Sequence, residues 1–256
     1  MGNIQAKKSD YIAVFDSGVG GISVLRQLLQ VLPNERYLYF GDSINAPYGT
    51  RPEKEVEQLT LAAAEKLRAR GIKAFVIACN TATSAAYQAL KETYPDMAVI
   101  GIEPALAKAA EAFPGGHVGV MATPGTLKGA RFLKNKEKYD GCCRVTPLPA
   151  PGLMELVEAE KYDSPEADAL LEKLLPQDLD ALVLGCTHYP FTEPSVRRVR
   201  GEKLALFDGA VITAEETKAA LTAADLLYEG PGEVVVENSM PGERMVSLSR
   251  RLAGLE

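Results

Sequence analysis

The chain has 256 residues, 28 Lys and Arg against 34 Asp and Glu, a formal charge of −6 and 46% apolar residues. That length can bury one large core or two modest ones without disulfide staples, and an acidic balance with no basic block argues against nucleic acid as the main partner. With His117 and His188 far apart and no C-x-x-C among the four cysteines, the common zinc and iron–sulfur spacings are absent and no metal is expected.

Short apolar runs alternate with longer amphipathic ones along the whole chain, which predicts an α/β class with mainly parallel sheets. The polar start carries no export or membrane signal, and Met1-Gly2 opens like a myristoylation site but has Ala6 where that pattern wants Ser or Thr. No apolar run approaches the roughly 18 residues of a membrane span. Strands are expected at Tyr11 to Phe15, Tyr37 to Gly41, Ala74 to Ala78, Ala98 to Ile100, Val118 to Met121, Cys143 to Thr146, Ala181 to Leu184 and Leu204 to Phe207. The clearest helix is Pro52 to Arg70. Pro52 suits its first turn, Glu53, Glu55 and Glu57 favour the positive end, Gly71 is a natural stop, and Val56, Leu59, Ala63 and Leu67 follow the helical period. Beyond Glu229, Gly230-Pro231-Gly232 reads as a turn into a short extension without functional content.

An internal repeat sets the domain organisation. Val76-Ile77-Ala78-Cys79-Asn80-Thr81 returns as Val183-Leu184-Gly185-Cys186-Thr187-His188, and Val14-Phe15-Asp16-Ser17-Gly18 as Met121-Ala122-Thr123-Pro124-Gly125, both at an offset of 107. Two similar α/β domains are therefore expected, residues 1–99 with 208–256 and residues 100–207. Duplicated halves often build a site between them.

Ligands of parallel α/β sheets sit beyond the carboxyl ends of the strands, where helix N-termini aim N–H groups and positive dipole ends. Cys79 and Cys186 fall at such places, where a thiol is encouraged to ionise. The competing reading, a small buried hydrophobe, fits Cys142 and Cys143 better, because no hydroxyl partners follow them. Two thiols facing each other could remove a proton from one face of a carbon and return one to the other, which is racemisation or epimerisation of an acidified centre such as an α-amino or α-hydroxy acid. Ser17, Asn80, Thr81, Thr123, Thr126 and Thr187 are neutral donors for carboxylates, though each could equally be a helix cap. Asp16 could orient an ammonium group or take a proton, or simply shape the turn before Gly18. His188 could assist the Cys186 thiol. Glu155 reads as a solvated helix face. The rival motif is Gly18-x-Gly20-Gly21 with Asp42 ending the next strand, close to a dinucleotide fingerprint, but Ser23 replaces the third glycine and Asp16 would oppose a pyrophosphate.

Five stretches in order, Phe15-Asp16-Ser17-Gly18-Val19-Gly20-Gly21, Phe40-Gly41-Asp42 through Pro47-Tyr48-Gly49, Ala78-Cys79-Asn80-Thr81-Ala82-Thr83, Gly119-Val120-Met121-Ala122-Thr123 and Leu184-Gly185-Cys186-Thr187-His188, resemble the glutamate racemases. That resemblance implies two pseudo-symmetric α/β domains with the active site between them, and a cofactor-independent enzyme supplying D-glutamate for peptidoglycan. It implies Cys79 and Cys186 as the acid/base pair, Cys79 acting on D-glutamate and Cys186 on L-glutamate, with Asp16 and His188 beside them. It adds Tyr48 and Gly49 to Asp16, Ser17, Asn80, Thr81, Thr187 and His188 as substrate contacts, and raises Glu155 to a candidate. Thr146-Pro147 stands where the family commonly has Cys-Pro. Expected with it are glutamate as the small-molecule partner, no cofactor and no metal, no membrane or nucleic-acid partner, and a cytoplasmic location with reduced thiols. A homodimer stays open because one sequence shows no interface. The alternatives are a racemase of aspartate or another acid in the same superfamily and, more remotely, a nicotinamide-binding oxidoreductase.

Overall fold

The computed structural model describes residues 6–103 and 105–255. The Met1-Gly2 start weighed above lies outside the described residues. The chain divides into two compact units, one running up to Ile102 and resuming at Ala210, the other spanning Glu103–Gly209.

In the first unit the elements follow as β1 (Tyr11–Asp16), α1 (Ile22–Val31), β2 (Arg36–Gly41), α2 (Glu53–Arg68), β3 (Ile72–Ile77), α3 (Asn80–Thr93) and β4 (Ala98–Gly101). The second unit supplies α4 (Leu106–Ala112), β5 (His117–Ala122), α5 (Pro124–Lys128), α6 (Ala130–Tyr139), β6 (Arg144–Pro149), α7 (Leu153–Glu158), α8 (Pro165–Leu174), β7 (Ala181–Leu184), α9 (Glu193–Arg200) and β8 (Ala205–Phe207). The chain then returns to the first unit with α10 (Ala210–Ala223), β9 (Glu233–Asn238) and α11 (Arg244–Ala253).

Every strand pairing is parallel, so the alternating pattern of the sequence has the class it predicted. The first sheet has the order β4-β3-β1-β2-β9 and the second β6-β5-β7-β8. Both faces of each are covered, as parallel sheets require. In the first, Ala13, Phe15, Leu38, Phe40, Phe75 and Ile77 meet Val56, Ala63 and Leu67 of α2 and Ala82, Ala86 and Leu90 of α3. The alternate positions Ile12, Val14, Tyr37, Tyr39 and Val76 are buried on the other face, because successive strand side chains point to opposite sides. The second sheet likewise separates two cores, one with α4 and α6 and one with α7, α8 and α9.

The repeat is visible in the pairing registers. Ala74 pairs with Ala98 and Ala181 with Ala205, both at an offset of 107, while Tyr37 and Val145, which pair with Ile12 and Val118 of the central strands, are 108 apart. The central strands run at 106: Phe15 O accepts the Ala78 N–H at 2.8 Å and Met121 O accepts the Gly185 N–H at 2.7 Å. The counterpart of Thr123 is thus Ser17, one residue on from the Asp16 that the sequence comparison matched to it.

Three further expectations need correction. The helix after Pro52 starts at Glu53, with Pro52 outside it in an extended conformation. The strand expected at Cys143 to Thr146 is β6 and runs on through Pro147 and Pro149, which is tolerated because β6 is an edge strand, paired with β5 on one side only among the described residues. The tail beyond Glu229 is no short extension but a full edge strand, paired with β2 from Arg36–Glu233 to Gly41–Asn238, followed by α11. Its run of only three valines, without apolar–polar alternation, is a weak strand signal although turn residues flank it on both sides.

Candidate active site

The carboxyl ends of β1, β2, β3 and β9 deliver Ser17, Asp42, Cys79 and Ser239 to one edge of the first sheet. Cys79 caps α3: its sulfur accepts the Ala82 N–H at 3.4 Å and lies 3.5 Å from Ser17 Oγ, with 6% of the residue exposed. An amide aimed at the sulfur from the positive end of a helix is what a thiolate needs. Asn80 and Thr81 form the first turn of α3 and are half-buried.

Asp16 is fully buried and its Oδ1 accepts the Gly18 N–H at 2.8 Å, the turn-shaping bond the bland reading expected. Glycine is needed around it for space. A Cβ on Gly21 would stand 2.6 Å from Asp16 Cβ, and one on Gly41 would stand 2.3 Å from the Gly18 carbonyl oxygen. Of the glycines in the dinucleotide-like pattern, Gly21 is thus accounted for by the close packing of α1 on β1.

After β2 the chain makes two short 3-10 turns, Ser43–Asn45 and Tyr48–Thr50, joined by a cis Ala46–Pro47 bond. Asp42, a residue the site prediction lacked, anchors them. Its carboxylate accepts Tyr48 Oη at 2.7 Å and Asn45 Nδ2 at 3.0 Å. Tyr48 is buried in the same core as Phe15 and Cys79, with its ring centroid 6.3 Å from that of Phe15. Burial above all, then the bond to Asp42 and the negative charge of Asp42, Cys79 and Asp16, push its phenol well above the ordinary value, so it stays a donor. Gly49 follows it in the second turn, half-buried.

In the second unit β5, β6 and β7 deliver Thr123, Ala150 and Cys186 to the corresponding edge. Cys186, 8% exposed, lies 3.8 Å from His188 Nδ1. It does not cap an α-helix, contrary to expectation: Tyr189–Thr192 is a 3-10 turn and α9 begins only at Glu193, because Pro190 and Pro194 delay the α-helical bonding. The buried His188 is held from behind by Glu158, whose Oε1 lies 3.2 Å from Nε2. Glu155, the glutamate the resemblance made a candidate, is exposed one turn earlier on α7 and places negative charge near the buried Tyr189, whose phenol is pushed up by burial, Cys186 and Glu155. Glu155 and Glu158 are one turn apart and share a face of α7, so periodicity does not separate them; Glu158, at the C-terminal end of the helix, is the one that reaches the loop after β7.

Thr187 is buried beside these groups. Thr123 and Thr126 pair with each other, the Thr123 hydroxyl accepting the Thr126 N–H at 3.2 Å and donating to Thr126 Oγ1 at 3.0 Å, so Thr123 is the cap of α5. Thr146 lies within β6 and bonds His117 Nε2 at 2.8 Å, while the proline just before α7 is Pro151. Of the two remaining thiols Cys143 is buried, its sulfur pushed up by desolvation, whereas Cys142 is exposed on the turn before β6 rather than packed. Among the described residues no group of three His, Cys, Asp or Glu side chains is arranged to hold a metal ion, and no helix is long and apolar enough to cross a membrane.

A model of the Asp/Glu/hydantoin racemase family matches residues 13–217. The glutamate racemase of Clostridium novyi is 43% identical over 251 residues, covering 95% of this chain and 97% of its own. The crystal structure of the Thermus thermophilus glutamate racemase in complex with β-chloro-D-alanine superposes with a TM-score of 0.83 at 37% identity, covering 97% of this chain and 95% of its own. That of the Escherichia coli glutamate racemase in complex with L-glutamate and the activator UDP-MurNAc-Ala does so with a TM-score of 0.84 at 28% identity, covering 95% of each.

Proposed function

The chain belongs to the Asp/Glu/hydantoin racemase family, and from that membership we propose that it interconverts L- and D-glutamate without a cofactor, through acid/base chemistry at Cys79 and Cys186. The observation that carries this reading is the placement of both thiols at equivalent strand ends of a repeated sheet, each with its own polar partner.

In the D-to-L direction Cys79, as thiolate, takes the proton from Cα and becomes a thiol. The electron pair left on carbon is delocalised into the adjacent carboxylate, and Cys186 delivers its thiol proton to the opposite face. The L-to-D direction exchanges the roles. Each thiol must begin in the opposite protonation state from its partner, so rate against pH is bell-shaped, with limbs that belong to the pair. Ser17 and the Ala82 N–H hold the Cys79 sulfur, and His188, steadied by Glu158, holds that of Cys186. Asp16, Ser17, Tyr48, Gly49, Asn80, Thr81, Thr187 and His188 are proposed to bind the substrate, with Thr123 and Thr126 shaping the second half. The family role of supplying D-glutamate for peptidoglycan, in the cytoplasm, completes the reading.

The test is incubation of the purified protein with each enantiomer in deuterated buffer, following optical rotation and the Cα–H signal, with aspartate in parallel. Loss of both signals from L- and from D-glutamate, with solvent deuterium entering Cα, supports the two-thiol reading. Turnover of aspartate alone moves the substrate to the shorter acid, and inertness toward both removes the proposal.

A further inference from the structure

The mechanism leaves the C-terminal strand unused, yet its end is bonded to the loop that carries Tyr48. At the carboxyl edge of the sheet Asn238 Nδ2 donates to Ser43 Oγ at 2.9 Å, and Ser239 Oγ accepts the Ile44 N–H at 2.9 Å. The tip is itself fixed, since Asn238 Oδ1 accepts the Met240 N–H and the Ser239 N–H reaches Gly41 O, both at 2.9 Å. Gly41 has no side chain at this crossing: a Cβ there would stand 2.7 Å from Asn238 Nδ2 as well as against Gly18. Ser43 and Ile44 directly follow Asp42, whose carboxylate takes the Tyr48 hydroxyl, and Tyr48 packs in the core that holds Cys79.

We propose that Asn238 and Ser239 are positioning residues, which act through the Ser43–Asn45 turn to hold Asp42 and Tyr48 in place beside Cys79. The inference rests on the racemase reading and extends it to a segment outside the residues matched by the family model, which end at 217. Elsewhere on β9 the side-chain bonds reach other places: Glu237 takes Arg70 Nη1 at 2.6 Å. At the far end Glu233 holds Arg36 and Tyr11, remote in the strand register from the Tyr48 loop.

A loosened loop presents its side chains to the substrate less often in the right place, which weakens binding before it slows proton transfer at bound substrate. Asn238→Ala and Ser239→Ala are each expected to raise KM for both enantiomers about five- to tenfold while kcat stays within about twofold, in line with the loss of supporting contacts behind a site. Ser239→Thr keeps the hydroxyl that accepts from Ile44 and restores KM. Glu233→Gln, which loosens the same strand at its other end, is expected to lower the melting temperature and leave KM unchanged.

Steady-state racemisation of full-length protein, read by circular dichroism, decides it. If wild type is active and Asn238→Ala and Ser239→Ala keep the wild-type KM, or if Glu233→Gln raises KM as they do, the positioning role is overturned and β9 is a structural edge. Failure of Ser239→Thr to restore KM overturns it also. A wild type inert toward glutamate overturns the racemase reading, and this inference with it.

Discussion

The two units build the same four-stranded parallel sheet and finish it differently. With β1, β2, β3 and β4 set against β5, β6, β7 and β8, the orders coincide, and the registers repeat at offsets of 106 to 108 residues. At the carboxyl edge each unit presents a thiol, but Cys79 caps a fourteen-residue helix and touches a hydroxyl, whereas Cys186 sits in a loop and is served by a histidine with a carboxylate behind it. At the opposite edge the residue before Ala74 is Lys73, which clasps the C-terminal segment, and the residue before Ala181 is Asp180, whose carboxylate accepts the His117 N–H. Strand pairing constrains the sheet, while the ends of strands are free to diverge, so the repeat has kept its scaffold and specialised its chemistry.

The sharpest way to break this comparison is to remove each thiol. Cys79→Ala and Cys186→Ala should each lower racemisation by at least about a thousandfold, since each deletes one of two obligatory proton carriers. Both proteins should keep the wild-type melting profile, and Cys142→Ala, at an exposed thiol, should match wild type in both respects. A variant lacking Cys186 that still inverts either enantiomer at the wild-type rate would show that one thiol suffices.

Next in size is the clasp that the first unit alone possesses. Lys73 is 0% exposed and spends all three of its protons, on Glu35 Oε2 at 2.5 Å, Lys8 O at 2.6 Å and Leu226 O at 2.9 Å. Glu35 also accepts the Tyr228 N–H at 2.9 Å. Burial lowers the Lys73 amine despite the carboxylate beside it. Lys73→Met strands a buried charge and should cost about 3–5 kcal/mol, whereas Glu35→Met combined with Lys73→Met should recover much of that loss. Urea unfolding of the two variants measures the difference, and a double variant less stable than the single one refutes the account.

Smaller still is the effect of the partners behind the thiols. Glu158→Gln leaves His188 a neutral acceptor or donor in place of a carboxylate, and should lower kcat by about tenfold, as loss of an orienting carboxylate commonly does. Ser17→Ala should cost only about threefold, because Cys79 keeps the Ala82 N–H. Equal losses in the two variants would erase the asymmetry between the half-sites. Glu155→Gln, exposed on the same helix as Glu158, should resemble wild type.

What the sequence made legible follows the same division between sheet and strand ends. Alternating apolar runs gave away eight strands because a buried strand needs a run of β-branched and aromatic residues whatever its neighbours do, and the cysteine repeat gave away two halves. The thiols, Asp16 and Ser17 could be named because each lies within two residues of a strand end, and His188 because it follows Cys186 by two. Glu158 and Asn238 could not, since their partners lie 30 and 195 residues away and only tertiary folding brings them together, and Asp42, though at a strand end, shows no partner until the loop folds Tyr48 back onto it. Even the slip from 107 to 106 is of this kind: a match of residue types cannot see which carbonyl a neighbouring strand's N–H will choose. Pattern reading failed at β9, because an edge strand is half solvated and needs no long apolar run.

The smallest effect concerns that edge strand and its counterpart in the second unit. Glu233 bonds Arg36 Nη2 at 2.6 Å and Tyr11 Oη at 3.0 Å, and these bonds, Arg36 first, hold its carboxyl below the ordinary 4.5. In the second unit Asp168 takes Arg198 through two bonds of 2.9 Å, and that guanidinium likewise holds its carboxyl below 3.8. A carboxyl whose folded value is depressed contributes stability in full above its unfolded value and loses it as pH falls through the folded one, because the unfolded chain takes up the proton first. The gap in melting temperature between wild type and Glu233→Gln should therefore be constant near neutrality and close as pH drops below 4.5, and that for Asp168→Asn should close only below 3.8. Both pairs are exposed, so water and salt screen them and each gap should be a few degrees at most, shrinking further in high salt. Gaps that persist unchanged under acid would mean that packing of the side-chain stems, rather than the ion pairs, ties β9 to β2 and α8 to α9.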